Sequence, residues 1–129
     1  MDRELIGVVQ PGLSQAVRVG SIVTVSGQVA FLEDLTTVVG EGDSEAQARQ
    51  CFANLERVLR DGGARLGDVV RLNGYLTSAD HYRGYAAVKN RLFADISPAS
   101  TVVIVSALLD PRLLMEIEAI AIIPGAELP

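Results

Sequence analysis

Two segments near the end of the chain are apolar on both faces of any strand they form. Val102, Val103, Ile104 and Val105 follow one another without a polar residue. In Glu116–Ile123, Ile117, Ala119, Ala121 and Ile123 point one way, while Ile120 and Ile122 point the other. A strand apolar on both faces needs cover on both. The rest of the chain offers two helical patterns, enough for one side of a sheet of about four to six strands. The other side is expected to meet another copy of the chain, or to be closed by a sheet that curls over its own core. With 129 residues the chain has the size of one domain, and residues 1–129 are read as such.

Periodicity places the remaining elements. Ala16–Val19 and Ile22–Ser26 are short β-branched runs separated by Gly20-Ser21, which suits a hairpin turn. The first ten residues read as a tail, and a polar stretch runs from Gly27-Gln28 to Asp43. A helix is predicted from Ser44, with Ser44 and Gln47 as a capping box. Phe52, Leu55, Val58 and Leu59 lie on one face, and Gly62-Gly63 is its stop. Val69–Leu76 alternates as a strand with Val70, Leu72 and Leu76 on one side. A second helix is predicted from Asp80 to about Asp95, with Tyr82, Tyr85, Val88, Leu92 and Phe93 as its stripe, ended before Pro98. Strands over Thr101–Ala107 and Glu116–Ile123 follow, joined through Asp110-Pro111. The order ββ(β)αβαββ is that of an α+β domain.

Composition then excludes functions. Hydrophobic residues make up 49% and charged residues 21%, too apolar for a disordered chain. A net charge of −5 argues against nucleic acid as a partner. The single Cys51 and single His81 cannot form a closed zinc site in one chain, so no metal is expected. His81 reads as an exposed residue at a helix start. The opening residues lack the apolar core of a signal peptide, and no apolar run has membrane-spanning length. A soluble cytoplasmic protein without a membrane partner is expected.

Five blocks in order carry a resemblance: GLSQAVRVGSIVTVSGQVA, EAQARQCFANLERVL, DVVRLNGYLTSADHY, PAST and MEIEAIAI. Together they are similar to the RidA/YjgF family over about Pro11–Ile123. The resemblance implies a chorismate-mutase-like fold: a mixed sheet with two helices on one face, and a homotrimer with a barrel-like centre. It also implies small-molecule clefts between subunits. Family enzymes hydrolyse enamines and imines such as 2-aminoacrylate and 2-iminopropionate, without metal or cofactor.

That chemistry needs a cation for the substrate carboxylate, best an arginine fork, and a group to move the protons of a positioned water. By the resemblance, Glu116 is the proton-handling carboxylate. Glu118 lies on the same strand face roughly 6–7 Å away, close enough for each to shift the other's pKa. Ser26 and Gly27 match the strand-end motif that borders the pocket. Three other positions depart from the family. Ser100 stands where active deaminases place their arginine, with Ala99 as the alternative equivalent. Leu13 replaces a tyrosine, and Ala86 aligns with an asparagine of the second helix. Arg112 and Arg18 are the candidate replacement cations. The pocket expected from these positions comprises Leu13, Thr24, Ser26, Gly27, Ala86, Ser100, Thr101, Val102 and Arg112 beside Glu116, and it suits a more apolar ligand than a small carboxylate.

Two readings follow. One is a divergent, metal-free imine or enamine hydrolase or tautomerase whose activity on 2-aminoacrylate and 2-iminopropionate is lost or weak. The other is a non-catalytic trimer that binds a metabolite in the same clefts, with a regulatory purpose. RNA cleavage is disfavoured by the charge, the single histidine and 5% aromatic content.

Overall fold

A computed structural model describes residues 2–126 and 128–129. Its strands are β1 (Arg3–Gln10), β2 (Leu13–Val19), β3 (Ile22–Gln28), β4 (Val69–Leu76), β5 (Ala99–Ile104) and β6 (Met115–Ile122). Helix α1 (Ser44–Asp61) lies between β3 and β4, and α2 (Tyr82–Phe93) between β4 and β5. The strands form one mixed sheet in the order β1-β2-β3-β6-β4-β5, in which only β4 and β5 run parallel. Among the described residues no helix is long and apolar enough to cross a membrane.

Both helices lie on one face of the sheet. Phe52, Leu55, Val58 and Leu59 are buried, as the stripe on α1 requires, against Val23, Val25, Leu72, Ile117, Ala119 and Ala121 of the central strands. Phe52 links the helices, with ring centroids 5.9 Å from Tyr85 and 5.8 Å from Phe93. The helix stops at Gly62-Gly63, and the β2–β3 turn falls at Gly20-Ser21.

Several expectations are corrected. Within the expected N-terminal tail, Arg3–Gln10 is not a tail but a strand: β1 pairs with β2, and Ile6 is buried opposite Ala16. Its alternation is interrupted because Gly7 sits at φ 75° in a register shift between Ile6 and Val9. The cap of α1 is Asp43, which accepts from the Ala46 N–H at 3.0 Å. Gln47 is instead buried, its amide donating to the Gly40 and Arg112 carbonyls and accepting from the Leu114 N–H. Ser44 meets His81, Oγ to Nδ1 at 2.7 Å, which ties the start of α1 to the turn before α2 and leaves His81 half-buried.

Val70 is 44% exposed, because a bulge between Val69 and Arg71 turns it away and puts Val69 inward. On α2, Tyr82 and Leu92 are exposed. The contact with α1 is narrower than the expected stripe and uses Tyr85, Val88 and Phe93. Strand β5 ends at Ile104 and is an edge strand, so Val103 and Ile104 remain exposed in the protomer.

Candidate functional site

The face of the sheet opposite the helices carries a group of polar and charged side chains. On β6, Glu116 and Glu118 alternate with the buried Ile117 and Ala119. On β4, Arg71, Asn73 and Tyr75 project on the same side, Asn73 standing opposite Glu118 and Tyr75 opposite Glu116. The Tyr75 hydroxyl donates to Glu118 Oε1 at 2.5 Å, and Asn73 Nδ2 donates to the same oxygen at 3.3 Å. The bond to Glu118, with burial and the two nearby carboxylates, raises the Tyr75 pKa. Arg71 Nη2 donates to Thr101 Oγ1 of β5 at 2.7 Å. A polar ladder thus crosses three strands.

Glu116 is placed differently. Its carboxylate lies over Gly27, in the space that a Cβ at that position would fill. Opposite Glu118, β3 has a bulge at Ser26-Gly27, since Val25 pairs with Ala119 but Gln28 with Ile117. A residue without a side chain at the bulge is therefore what admits the Glu116 carboxylate. Burial, and then the charge of Glu118, raises the pKa of Glu116. Among the described residues it joins no ion pair. It is a half-buried carboxylate that holds a proton more tightly than a free glutamate does, suited to taking up and releasing one.

Two cavities adjoin the β3 bulge, one lined by Glu118 and the other by Gly27, and Glu116 itself lines neither. The larger, about 540 Å³, runs along the outer face and includes Leu13, Ser14, Val17, Thr24, Ser26 and Glu118. The smaller, about 160 Å³, lies on the other side of Leu13, Ser14 and Ser26. It is lined also by Gly27, Leu32, Leu35 and Arg57. Ser26 Oγ donates to the Ser14 carbonyl at 2.7 Å and so joins β2 to β3 at the partition.

The residues singled out from sequence fall into separate groups. Leu13, Thr24, Ser26, Gly27 and Glu116 gather around β3 and β6. Thr101 is on the outer face of β5, bound to Arg71. Ser100 turns to the helix side, where it lines a third cavity of about 340 Å³ with Lys89, Asn90, Phe93 and Ser97. Ala86 is half-buried on α2 and Val102 half-buried on β5. Neither candidate cation joins the Glu116 group. Arg112 is engaged by Asp110 at 2.8 Å and by the Thr36 carbonyl at 3.2 Å. Arg18 donates to the Gly20 and Gly62 carbonyls, the latter at the end of α1. Arg71, Asn73 and Tyr75 were not anticipated, although their two-residue spacing marks one face of β4. Arg57 was not anticipated either.

A family model described as Endoribonuclease L-PSP matches residues 8–123. The chain belongs to this family, also called RidA/YjgF. A RutC family protein of Pyrococcus abyssi is 34% identical over 84% of each chain. A protein of Dermatophagoides farinae named 2-iminobutanoate/2-iminopropanoate deaminase is 33% identical, over 85% of this chain and 84% of its own. Among solved structures, a Mycobacterium tuberculosis member of the YjgF/YER057c/UK114 family superposes with a TM-score of 0.80 at 33% identity. It covers 95% of this chain and 100% of its own. Escherichia coli TdcF, solved with bound serine, gives 0.79 at 26% identity over 92% of each chain. The mixed sheet with two helices is thus the RidA/YjgF fold, in a family that contains both a named imine deaminase and a protein holding a small amino acid.

Proposed function

We propose that the protein is a metal-free imine or enamine hydrolase of the RidA/YjgF type, working in clefts between copies of a homotrimer. The observation that carries this reading is the Glu116 carboxylate, half-buried over Gly27 with a raised pKa. On the protonated imine, the ionised carboxylate takes a proton from water as the water oxygen bonds to the carbon and the C=N electron pair moves to nitrogen, giving a neutral carbinolamine. In its acid form it then returns that proton to the nitrogen, and as the C–N bond breaks the carboxylate takes the hydroxyl proton, so that keto product and ammonia leave. Ser26 and Gly27 border the reacting centre.

Assembly supports the clefts. Leu5, Val103, Ile120 and Ile122 leave apolar area exposed on the outer face, more economically covered by another copy than by water. The Glu116 group and the Ser100 cavity occupy separate places in one protomer, so a cleft using both needs two copies.

Small carboxylate substrates are poorly served, because Ser100 supplies no charge. Loss of one partner from a buried charged pair costs about 3–5 kcal/mol. The test is ammonia release from 2-aminoacrylate or 2-iminopropionate generated in situ. Wild type is expected near background, with partial recovery in Ser100→Arg. Glu116→Gln in that background should lose about 10²–10⁴-fold. Robust wild-type turnover would overturn the loss of the clamp. Binding without turnover of any imine would favour the second reading, a metabolite-binding trimer, to which the same missing charge at Ser100 points.

A further inference from the structure

We propose that Arg57 is the anion anchor of the smaller cleft, which selects 2-imino and 2-oxo acids with a branched or aromatic apolar side chain. This rests on the reading above that the cleft at Ser26 and Gly27 is the ligand site.

Arg57 lies in the second half of α1 and is half-buried at the cavity. Its guanidinium is oriented: Nη1 donates to Asn54 Oδ1 at 3.0 Å. Asn54 is 4% exposed and is itself fixed, because its Nδ2 donates to the Val29 and Phe31 carbonyls at 2.9 and 2.8 Å. Gln50 donates to the same Asn54 oxygen at 3.0 Å. One buried amide therefore holds both the strand-end segment that walls the cavity and the cation that reaches it. A guanidinium has five N–H donors, and among the described residues Arg57 forms no ion pair. The remaining donors are available to a carboxylate, in the fork geometry that suits it.

Around this charge the walls include the apolar Val8, Leu13, Leu32 and Leu35, beside the polar Gln10, Gln15 and Gln28. The loop carrying Leu32 and Leu35 is braced by Asp34, which accepts from the Thr36 and Thr37 N–H groups at 3.0 and 2.8 Å. A volume of about 160 Å³ is near that of an engineered apolar cavity of ~150 Å³ that holds benzene. An isobutyl or benzyl group fills such a space, whereas the methyl group of pyruvate leaves most of it empty. Gly27 forms part of the same lining, and the Glu116 carboxylate lies against Gly27 without itself lining the cavity. A ligand with its carboxylate on Arg57 and its side chain among the leucines is thereby held next to Gly27, the residue that Glu116 covers.

The test is calorimetric titration with α-ketoisocaproate, pyruvate and the uncharged methyl isobutyl ketone. Wild type, Arg57→Gln, Arg57→Lys and the charge-matched control Arg60→Gln on the exposed side of α1 are compared, with melting curves to verify folding. Wild type should bind α-ketoisocaproate more tightly than pyruvate or the ketone. Arg57→Gln should weaken the acid about 10- to 100-fold, the range for a lost charged hydrogen bond, and leave the ketone unchanged. Arg57→Lys should recover part of the loss, and Arg60→Gln should match wild type. Equal affinity of wild type and Arg57→Gln for the acid overturns the proposal. So does an equal loss for acid and ketone, or failure of wild type to bind the acid. Turnover of the leucine-derived imine separates the two readings. Turnover that depends on Glu116 but not Arg57 leaves the hydrolase and removes the anchor. Arg57-dependent binding without turnover keeps the anchor and removes the hydrolase.

Discussion

The two faces of the sheet are built from the same strands in the same two-residue period, yet they are finished to different degrees. Toward the helices, Val23, Leu72, Ile117 and Ala121 are wholly buried. One residue along each strand, Thr24, Ile120 and Ile122 are exposed, next to Arg71, Asn73, Tyr75, Glu116 and Glu118. The helix side is complete within one protomer and carries stability. The outer side mixes apolar area with unpaired and hydrogen-bonded charge, a combination useful for assembly and chemistry but a poor core. Separating the two allows the polar side to change without unfolding the domain.

The largest effect should come from the finished face. Leu72→Ala removes a side chain with no exposed surface and should destabilise the protomer by about 2–5 kcal/mol. Urea unfolding at one fixed protomer concentration measures this, since assembly would otherwise shift the midpoint. A loss below about 1 kcal/mol would mean that the core relaxes around the gap and that the two faces differ less than their burial implies.

Next in size is Ile120→Asp on the outer face. Its neighbours Thr24 and Arg71 are polar, so the protomer tolerates a carboxylate there. A charge buried between copies is costly, and the assembly constant should fall about tenfold or more. Sedimentation reports the assembly, and an unchanged far-ultraviolet spectrum shows that the protomer still folds. Unaltered sedimentation would mean that the outer face is not where copies meet.

How far this division could be read in advance depended on the bulges. The stripe of α1, the stop at Gly62-Gly63 and the alternation of Glu116–Ile123 follow local periods and were legible. Strand β1 was not, because the shift at Gly7 breaks its alternation. Simple alternation puts Val70 on one side with Leu72 and Leu76, but the bulge beside it reverses the period and leaves no mark in composition. In the candidate site, Glu116, Ser26 and Gly27 are named through family likeness, and the bulge on β3 brings Glu116 and Gly27 together. Arg71, Asn73 and Tyr75 were readable from their spacing. Arg57 was not, since on α1 it resembles any solvent-facing charge until the Val29–Leu35 segment folds beside it.

A smaller effect is expected from Tyr75→Phe, which leaves Glu118 without its 2.5 Å donor. Both groups are only partly buried, so the loss should be about 0.5–1.5 kcal/mol in the same urea experiment. Removal of the donor should also leave Asn73 as the remaining hydrogen-bond donor to Glu118. A loss as large as that of Leu72→Ala would place the ladder, and not only the core, among the main sources of stability.

The smallest expected change concerns Glu116 and pH. Burial first, and the charge of Glu118 second, raise its pKa in the folded chain above the ordinary 4.5. The native state therefore holds this proton more tightly than the unfolded state does. The resulting stabilisation is fully present below the ordinary glutamate pKa and is lost as pH rises through the raised one. At neutral pH the ionised carboxylate is a small liability, which Glu116→Gln removes while keeping the shape. The variant should melt slightly above wild type at pH 7.5, and the gap should close as the pH is lowered below about 4.5, where both side chains are neutral. Calorimetry at matched pH values measures the gap. A variant that melts below wild type at pH 7.5 would show that the ionised carboxylate has a favourable partner in the assembled protein. The outer face would then be electrostatically finished by a neighbouring copy, as the proposed assembly would also cover its apolar area.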